Sequence, residues 1–332
     1  MSAREEISRM HVSIVIPVFN AEGNLAELYR QLMPAMEALV EHFEVVMVED
    51  SSADGSWEII RRLAARDERI QGIRLSRNYG QHNALLCGIR AAKYDIIVTM
   101  DDDLQHPVSE IPLLLSALTQ GHDVVYGTSQ DNQHDLWRNL ASRMTKLALQ
   151  GAMGAATAAQ VSAFRAFPTR LRAAFEDYRS PSVSIDVLLT WATTRFTSVR
   201  VKHAARLSGK SNYTIRKLIT HAFNLMTGFS TRPLRLASVV GFVFTLFGFG
   251  VLAWVVARYF IYGASVPGFA FLASIIAIFS GAQMFTMGIF GEYLARMYGR
   301  TMERPAYVVL ERCRNAGEPL AEARADMRVA GE

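Results

Sequence analysis

Residues 95–107, which read DIIVTMDDDLQHP, are the most informative stretch of this chain. The run 95–99 is apolar after its first residue and is typical of a buried strand. Three carboxylates, Asp101, Asp102 and Asp103, stand where that strand would end, and they are costly there unless a positive charge compensates them. Hard oxygen ligands suit Mg²⁺ or Mn²⁺, and a metal with open coordination positions can bind a diphosphate leaving group. The same residues also fit a plain acidic loop at the end of a strand.

Other strand-like runs precede this one at regular spacing. Residues 12–17 and 43–48 are mostly apolar, and a third run around Ile73 leads into the polar stretch 76–82. Helical patterns separate these runs, so that strands and helices alternate up to the carboxylates. This alternation predicts a mostly parallel α/β sheet, with ligand-binding groups at the carboxyl ends of the strands.

The composition limits the classes of function. The chain has 332 residues, of which 50% are hydrophobic, and a formal net charge of +4. This length predicts one large domain with an appendage. Basic residues concentrate between Arg195 and Arg235 and again from Arg296 onward, a pattern that favours an anionic surface as the partner. Because basic and aromatic residues do not interleave, we expect no binding to nucleic acid.

Two cysteines, Cys87 and Cys313, are too few for a disulfide framework. Cys87 lies in an apolar helical pattern, which predicts packing in the core. The amino terminus is charged and runs directly into the first predicted strand, without the pattern of a secretory signal peptide. We therefore expect the large domain, residues 1–211, to lie in the cytosol.

The last third of the chain carries a membrane signal. No residue between Arg235 and Arg258 is charged, and the next charge after Arg258 is Glu292. One bilayer crossing takes ~20 residues, and Pro267 divides the second uncharged interval. Within residues 233–292 the pattern predicts two transmembrane helices, at about 236–257 and 269–290. A buried hairpin of a soluble protein is the alternative.

The distribution of Lys and Arg predicts the topology. Basic residues precede the first predicted span, and Arg296, Arg300 and Arg304 follow the second one, in the tail 293–332. By the positive-inside rule both chain ends are expected in the cytosol, as in a multi-pass protein of the inner membrane. In residues 212–232 apolar positions recur at helical spacing, which fits either an interfacial membrane helix or an ordinary surface helix.

The order of these motifs resembles the polyprenyl-phosphate glycosyltransferases of glycosyltransferase family 2, which have the GT-A fold. The resemblance rests on Asp-x-Asp-Leu-Gln at Asp101, Gly-x-Ser-x-Tyr at Gly209, the two apolar intervals and Gly-Glu-Tyr at Gly291, and it extends from Val12 to Val309. It implies inverting transfer of a sugar from a nucleotide sugar, expected to be UDP-linked, to a polyprenyl phosphate such as undecaprenyl phosphate. It also implies contact with membrane lipid, a role in cell-envelope glycan or lipopolysaccharide, and a homo-oligomer, expected to be a tetramer.

The resemblance implies roles for residues at the ends of the predicted strands. Asp101 and Asp103 would hold Mg²⁺ or Mn²⁺, with Gln105 as a neutral ligand or a partner of the ion. Asp50 would accept a hydrogen bond from the base or the ribose, and His82 is expected to pack near the nucleotide. The other expected nucleotide contacts are Pro17, Phe19, Asn20, Arg77, Asn78, Gly80 and, in a minor role, Asp102.

Cations are expected to receive the phosphates. Arg206 resembles the phosphate-binding arginine of the family, and Arg138 corresponds to an arginine that meets the lipid phosphate. Gly209 and Ser211 match a flexible loop that closes over the donor, and Lys210 lies between them. A basic face attracted to anionic lipid is the alternative explanation of these residues.

A few positions depart from the family pattern. Ser51 stands where glycine is common, and Ala21 stands where glutamate is common. The positions just before Phe164 and Arg165 contain no acidic residue, although relatives often have one there. A non-catalytic membrane module that binds a nucleotide sugar and recruits a partner is the alternative function. A processive polysaccharide synthase is disfavoured, because the Gln-x-x-Arg-Trp motif and the additional spans of that class are missing.

Overall fold

The structure is a computed structural model that describes residues 3–129, 161–202, 232–262 and 268–314. Within these residues eight strands form one sheet in the order β7-β5-β6-β4-β1-β2-β3-β8. The strands are β1 (His11–Val18), β2 (His42–Glu49), β3 (Ile70–Leu75), β4 (Ile96–Thr99), β5 (Val124–Ser129), β6 (Arg165–Pro168), β7 (Phe196–Val201) and β8 (Val309–Cys313). The α-helices are α1 (Ala3–Ser8), α2 (Glu22–Glu37), α3 (Ser56–Arg66), α4 (Gln81–Ala91), α5 (Ile111–Thr119), α6 (Ile185–Ala192), α7 (Arg232–Tyr262) and α8 (Phe269–Thr301). Short 3₁₀ turns occupy Val108–Glu110 and Thr169–Phe175.

Parallel pairing is concentrated in the amino-terminal half of the sheet. The neighbours β3, β2, β1 and β4 pair in parallel, and so do β5 and β7. β6 is antiparallel to both β4 and β5, and β8 is antiparallel to β3. The strands β1 to β4 therefore end at one edge of the sheet, which we call the carboxyl edge. The predicted α/β class with a mostly parallel sheet is confirmed.

The sheet is buried on both faces. Along β2, Val45 and Met47 pack in one core and Val46 and Val48 in the other, because successive side chains of a strand point to opposite faces. Helices α2, α3 and α5 cover the first face, and α4 and α6 cover the second. Strands buried on both faces read as continuous apolar runs, which explains why the sequence shows them so clearly.

Helix α4 lies very close to the sheet. A Cβ atom at Gly88 would come within 2.4 Å of Val15 Cγ1, so the approach requires glycine. This contact fixes α4 against β1. The first turn of α4, which begins at Gln81, consequently reaches the carboxyl edge beside the end of β4.

Two long helices follow the α/β domain. The segment Pro233–Ile261 of α7 is long and apolar enough to cross a membrane, with a mean hydropathy of 2.4, and it is the one such segment in the described ranges. The second predicted span lies within α8, which continues past position 290 to Thr301. The two helices pack through Phe279: its ring lies 5.9 Å from that of Phe244, and a Cβ at Gly248 would lie 3.1 Å from its Cζ.

The tail returns to the α/β domain. After α8 the chain forms β8, in which Val309 lies opposite Leu75 and Cys313 opposite Gly72 of β3. The sequence did not predict this strand, because its partner lies far away along the chain. The predicted interfacial helix in residues 212–232 lies outside the described residues, apart from Arg232, which begins α7.

Candidate active site

Four loops at the carboxyl edge each contain a residue with left-handed backbone. Asn20, Ser51, Gly80 and Leu104 have φ angles of 52°, 56°, 95° and 59°, and they follow β1, β2, β3 and β4 in that order. Residues other than glycine rarely adopt this conformation, and strained positions concentrate at functional sites. The positive φ angle at Ser51 also explains why glycine is common at this position in the family that the sequence resembles.

Hydrogen bonds join the loops after β1 and β2. The N–H of Asn20 donates to Ser52 Oγ at 3.0 Å, and Asn20 Oδ1 accepts a hydrogen bond from the N–H of Ala53 at 3.0 Å. Pro17 is buried in β1, whereas the Phe19 side chain is 48% exposed. Of the three residues predicted to flank the base, Phe19 and Asn20 are thus accessible to a ligand at the carboxyl edge.

Asp102 connects the loop after β1 with the loop after β4. Its Oδ2 accepts a hydrogen bond from the N–H of Phe19 at 3.1 Å. Burial raises the pKa of Asp102 to about 7; the Phe19 N–H opposes this shift, and the negative charges of Asp101 and Asp103 add to it. Through this contact Asp102 holds the loop that carries Phe19. The sequence predicted only a minor role for Asp102 and did not predict this contact.

Asp50 holds the loop after β3. Its two carboxylate oxygens accept hydrogen bonds from the N–H groups of Tyr79 and Gly80, each at 2.7 Å. Burial raises the pKa of Asp50, while the two amide hydrogen bonds oppose the shift. The structure therefore places Asp50 against the backbone of the predicted nucleotide-binding loop. Arg77 and Asn78 of that loop are exposed.

The candidate metal ligands come directly after β4. Asp101 Oδ1 accepts a 2.6 Å hydrogen bond from Nε2 of Gln81, the first residue of α4. Asp103 Oδ1 accepts a hydrogen bond from the backbone N–H of Gln105 at 3.1 Å, across the left-handed Leu104. Gln105 thus contacts Asp103 through its backbone, and the ligand role of its side chain stays a prediction.

Asp101 and Asp103 are the two carboxylates that are predicted to hold a metal ion. The described part of the chain has no group of three or more His, Cys, Asp and Glu side chains arranged to hold a metal ion. A divalent ion at Asp101 and Asp103 would therefore need further oxygens from a ligand or from water. The local charge fits a cation, because both carboxylates help to raise the pKa of the neighbouring Asp102. Such a site suits a metal that binds together with a diphosphate.

A buried ion pair supports the end of β4. The guanidinium group of Arg165 pairs with Asp186, and its Nε donates to Thr99 Oγ1 at 3.1 Å. The hydroxyl of Tyr126 also donates to Asp186 Oδ1 at 3.0 Å. Thr99 is the last residue of β4 and lies two positions before Asp101. The sequence contained no signal for this network, because a strand residue and a helix residue 21 positions apart show no common pattern.

Two more site residues escaped prediction. Gln81 hydrogen-bonds to Asp101, and its only signal was its place in the polar stretch 76–82. Glu49 is completely buried at the end of β2, accepts a hydrogen bond from the N–H of Ser52, and has Oε2 3.2 Å from Arg74 Nε. The pairing of β2 with β3, which sets Glu49 opposite Arg74, creates this contact.

Some of the predicted phosphate-binding residues are not among the described ones. Arg138, Arg206, Gly209, Lys210 and Ser211 lie outside the part of the chain that the structure describes. His82 lies within it, and its Nδ1 accepts a hydrogen bond from the N–H of Ile185 at 3.4 Å. His82, which lies in the first turn of α4, thus contacts the start of α6.

Comparison with known proteins identifies the family. Residues 13–179 match the model of glycosyl transferase family 2. A protein of Pseudomonas syringae pv. syringae named undecaprenyl-phosphate 4-deoxy-4-formamido-L-arabinose transferase is 38% identical over 322 residues, which cover 96% of this chain and 95% of that protein. A protein of the same name from Aeromonas hydrophila is 37% identical over 312 residues, which cover 93% of this chain and 95% of that one.

The fold also has a counterpart among solved structures. Glucosyl-3-phosphoglycerate synthase from Mycobacterium tuberculosis, solved in complex with Mn²⁺ and UDP-glucose, has a TM-score of 0.50 and 17% sequence identity, covering 68% of this chain and 79% of that one. At this identity the likeness concerns the fold alone. The sequence matches agree with the GT-A-like sheet and with the family resemblance of the motifs. The chain therefore belongs to glycosyl transferase family 2 and is a glycosyltransferase.

Proposed function

We propose that this protein transfers a sugar from a UDP-linked donor to undecaprenyl phosphate in a metal-dependent, inverting reaction. One observation carries the proposal: Asp101 and Asp103 follow β4 where the loops after β1, β2 and β3 also meet. Relatives that are named for transfer to undecaprenyl phosphate align with 96% and 93% of the chain. The sugar in their name, 4-deoxy-4-formamido-L-arabinose, is therefore the first donor sugar to test.

The metal site would be built on the loop after β4. Asp101 and Asp103 would hold Mg²⁺ or Mn²⁺, with Gln105 as an additional oxygen ligand. When bound, the ion stabilises the negative charge of the departing diphosphate. Gln81 orients Asp101 through its 2.6 Å hydrogen bond. A solved enzyme of the same fold contains Mn²⁺ together with UDP-glucose, which supports a divalent ion in this role.

The reaction needs no protein base. An oxygen of the lipid phosphate attacks the anomeric carbon of the donor; a carbon–oxygen bond forms there as the bond from that carbon to the diphosphate breaks, and UDP leaves. The second pKa of a phosphate monoester is ~6, so the attacking oxygen is already ionised at neutral pH. Orientation of the two substrates and stabilisation of charge then carry the catalysis. One in-line displacement inverts the anomeric centre.

Basic residues complete the assignment. Donor and acceptor phosphates repel each other, so cations must hold them close enough to react. We assign Arg138 to the lipid phosphate and Arg206 to the nucleotide diphosphate, with residues 209–211 as the loop that covers the donor. The family resemblance supports these assignments. Arg77 and Asn78, exposed in the loop that Asp50 holds, are assigned to the nucleotide.

The acceptor is a membrane lipid, and the long helices would hold the enzyme at the membrane. We assign α7 and α8 as two spans of the inner membrane, with residues 1–211 and the tail in the cytosol. The length and hydropathy of α7 support the first crossing. The uncharged sequence between Arg258 and Glu292 supports the second. The family resemblance also supports a homo-oligomer.

Lipid extracts from cells with and without the protein test this function. Mass spectrometry should detect a polyprenyl phosphate that carries one additional sugar only when the active protein is made. Cells that make the Asp101→Asn variant are the matched control and should lack this lipid. If the wild-type protein binds UDP-sugar in calorimetry but the lipid product is absent, the alternative of a binding module that recruits a partner is favoured.

A further inference from the structure

The first turn of α4 contacts both the candidate metal site and the tail. Gln81 donates its 2.6 Å hydrogen bond to Asp101. Two positions later, Asn83 is buried, with 6% of its surface exposed. Its Nδ2 donates to the backbone oxygen of Ala306 at 2.6 Å and to that of Pro181 at 3.0 Å. One amide group therefore ties α4 to two segments that are distant in sequence, and one of them is the chain that leaves α8.

The tail is fixed to the domain on both sides of this contact. Ala306 is 4% exposed, and the oxygen of Val308 accepts a hydrogen bond from the N–H of Ser76 at 2.9 Å. Val309 then begins the pairing of β8 with β3, opposite Leu75. Residues 306–309 therefore line the end of β3 and the start of α4, the two elements that flank the loop 76–80.

The same loop is held at its other end by Asp50. The N–H groups of Tyr79 and Gly80 both donate to this carboxylate. Gly80, with φ of 95°, is the residue that immediately precedes α4. The loop is thus fixed by the tail at Ser76 and by Asp50 at Gly80. The direction of α4, and with it the position of Gln81 beside Asp101, depends on both attachments.

We propose that Asn83 is a positioning residue, through which the tail that follows the membrane helices sets the geometry of Asp101. The inference rests on the proposed function, since it takes Asp101 as part of the donor and metal site. An amide nitrogen is the required group because two buried backbone oxygens share it, and each would lose its donor with a different side chain. Docking of the tail and completion of the donor site are then one event.

The test compares two full-length variants in lipid nanodiscs. Asn83→Asp keeps the size of the side chain but sets a carboxylate against the oxygens of Ala306 and Pro181. Glu311→Ala is the matched control, because it removes different tail contacts in the middle of β8, the 3.1 Å hydrogen bond from Trp57 Nε1 and the 3.8 Å ion pair with Arg61. Binding of Mn²⁺ in the presence of UDP is measured by electron paramagnetic resonance, which needs no catalytic turnover.

Asn83→Asp is expected to weaken Mn²⁺ binding about tenfold, as loss of a partner that orients a metal ligand commonly does. The concentration of undecaprenyl phosphate for half-maximal rate should stay within about twofold of wild type, because the effect is confined to the donor side. Glu311→Ala should bind Mn²⁺ like the wild type. Equal weakening in both variants, or wild-type binding in Asn83→Asp, would overturn the proposal. If Asn83→Asp fails to fold, Asn83→Ser, which retains one donor, takes its place.

A double-mutant cycle with Gln81→Leu tests the route of the effect. If Asn83 acts through Gln81, the double variant should bind Mn²⁺ no more weakly than the worse single variant. Additive losses would contradict the route and leave Asn83 as a purely structural residue. Should wild-type protein bind Mn²⁺ with UDP but transfer no sugar, the proposed function fails while the positioning role is still decided by the binding data.

Discussion

The two carboxylates after β4 carry the most specific expectation at the scale of single residues. Replacing Asp101 or Asp103 by Asn keeps the shape of the side chain but removes a ligand charge. We expect sugar transfer to fall by a factor of ~100 or more in either variant. Asp95→Asn is the matched control, because Asp95 precedes the same strand and its side chain is 84% exposed. Full activity of Asp103→Asn in excess EDTA would show that no metal acts there.

Asp50 poses a second question at this scale, since its oxygens bind backbone N–H groups. In the variant Asp50→Asn only one side-chain oxygen remains to accept a hydrogen bond, so we expect the loop 76–80 to open more often. Hydrogen exchange of Tyr79 and Gly80 should accelerate about tenfold or more, since each lost bond to a charged acceptor is worth more than 1.4 kcal/mol. Exchange at the wild-type rate, together with weaker binding of uridine nucleotides, would instead favour direct contact of Asp50 with the base.

At the scale of elements, the pair of Arg165 in β6 and Asp186 in α6 links the antiparallel strand to the end of β4. Breaking a buried pair leaves an uncompensated charge, so Asp186→Asn should lower the free energy of unfolding by about 3–5 kcal/mol. The double variant Arg165→Met/Asp186→Leu should be less destabilised than the single one, because no charge remains buried. Arg170→Ala, which removes an exposed pair with Asp123, should cost less than about 1 kcal/mol. Denaturant unfolding in detergent micelles measures all three.

The elements also show which parts of the fold could be predicted. Strands β1, β2 and β4 were visible because burial on both faces makes them continuous apolar runs. β6 and β8 were not, because an antiparallel strand of four or five residues acquires its place only from its partner. For the site, local sequence indicated Asp101 and Asp103. It contained no trace of the contact between Asn83 and Ala306, which joins residues 223 positions apart.

At the scale of the whole molecule, β8 of the tail pairs with β3 in the sheet of the α/β domain, so the domain and this strand must lie on the same side of the membrane. If α7 and α8 both cross, this side is the cytosol, as the distribution of Lys and Arg predicts. Reporter fusions should be cytosolic at Met1 and Glu332 and external at position 263. An external carboxyl terminus would contradict both the topology and the pairing of β8 with β3.

Sugar transfer by the purified protein in nanodiscs tests the proposed reaction directly. UDP-linked 4-deoxy-4-formamido-L-arabinose and other UDP-sugars are supplied with undecaprenyl phosphate and Mn²⁺, and the lipids and nucleotides are analysed by mass spectrometry. We expect one UDP to be released for each sugar that appears on the lipid, in a product that contains a single phosphate, and no product when EDTA is present. A lipid product with two phosphates, or UDP release without any lipid-linked sugar, would contradict the proposed reaction.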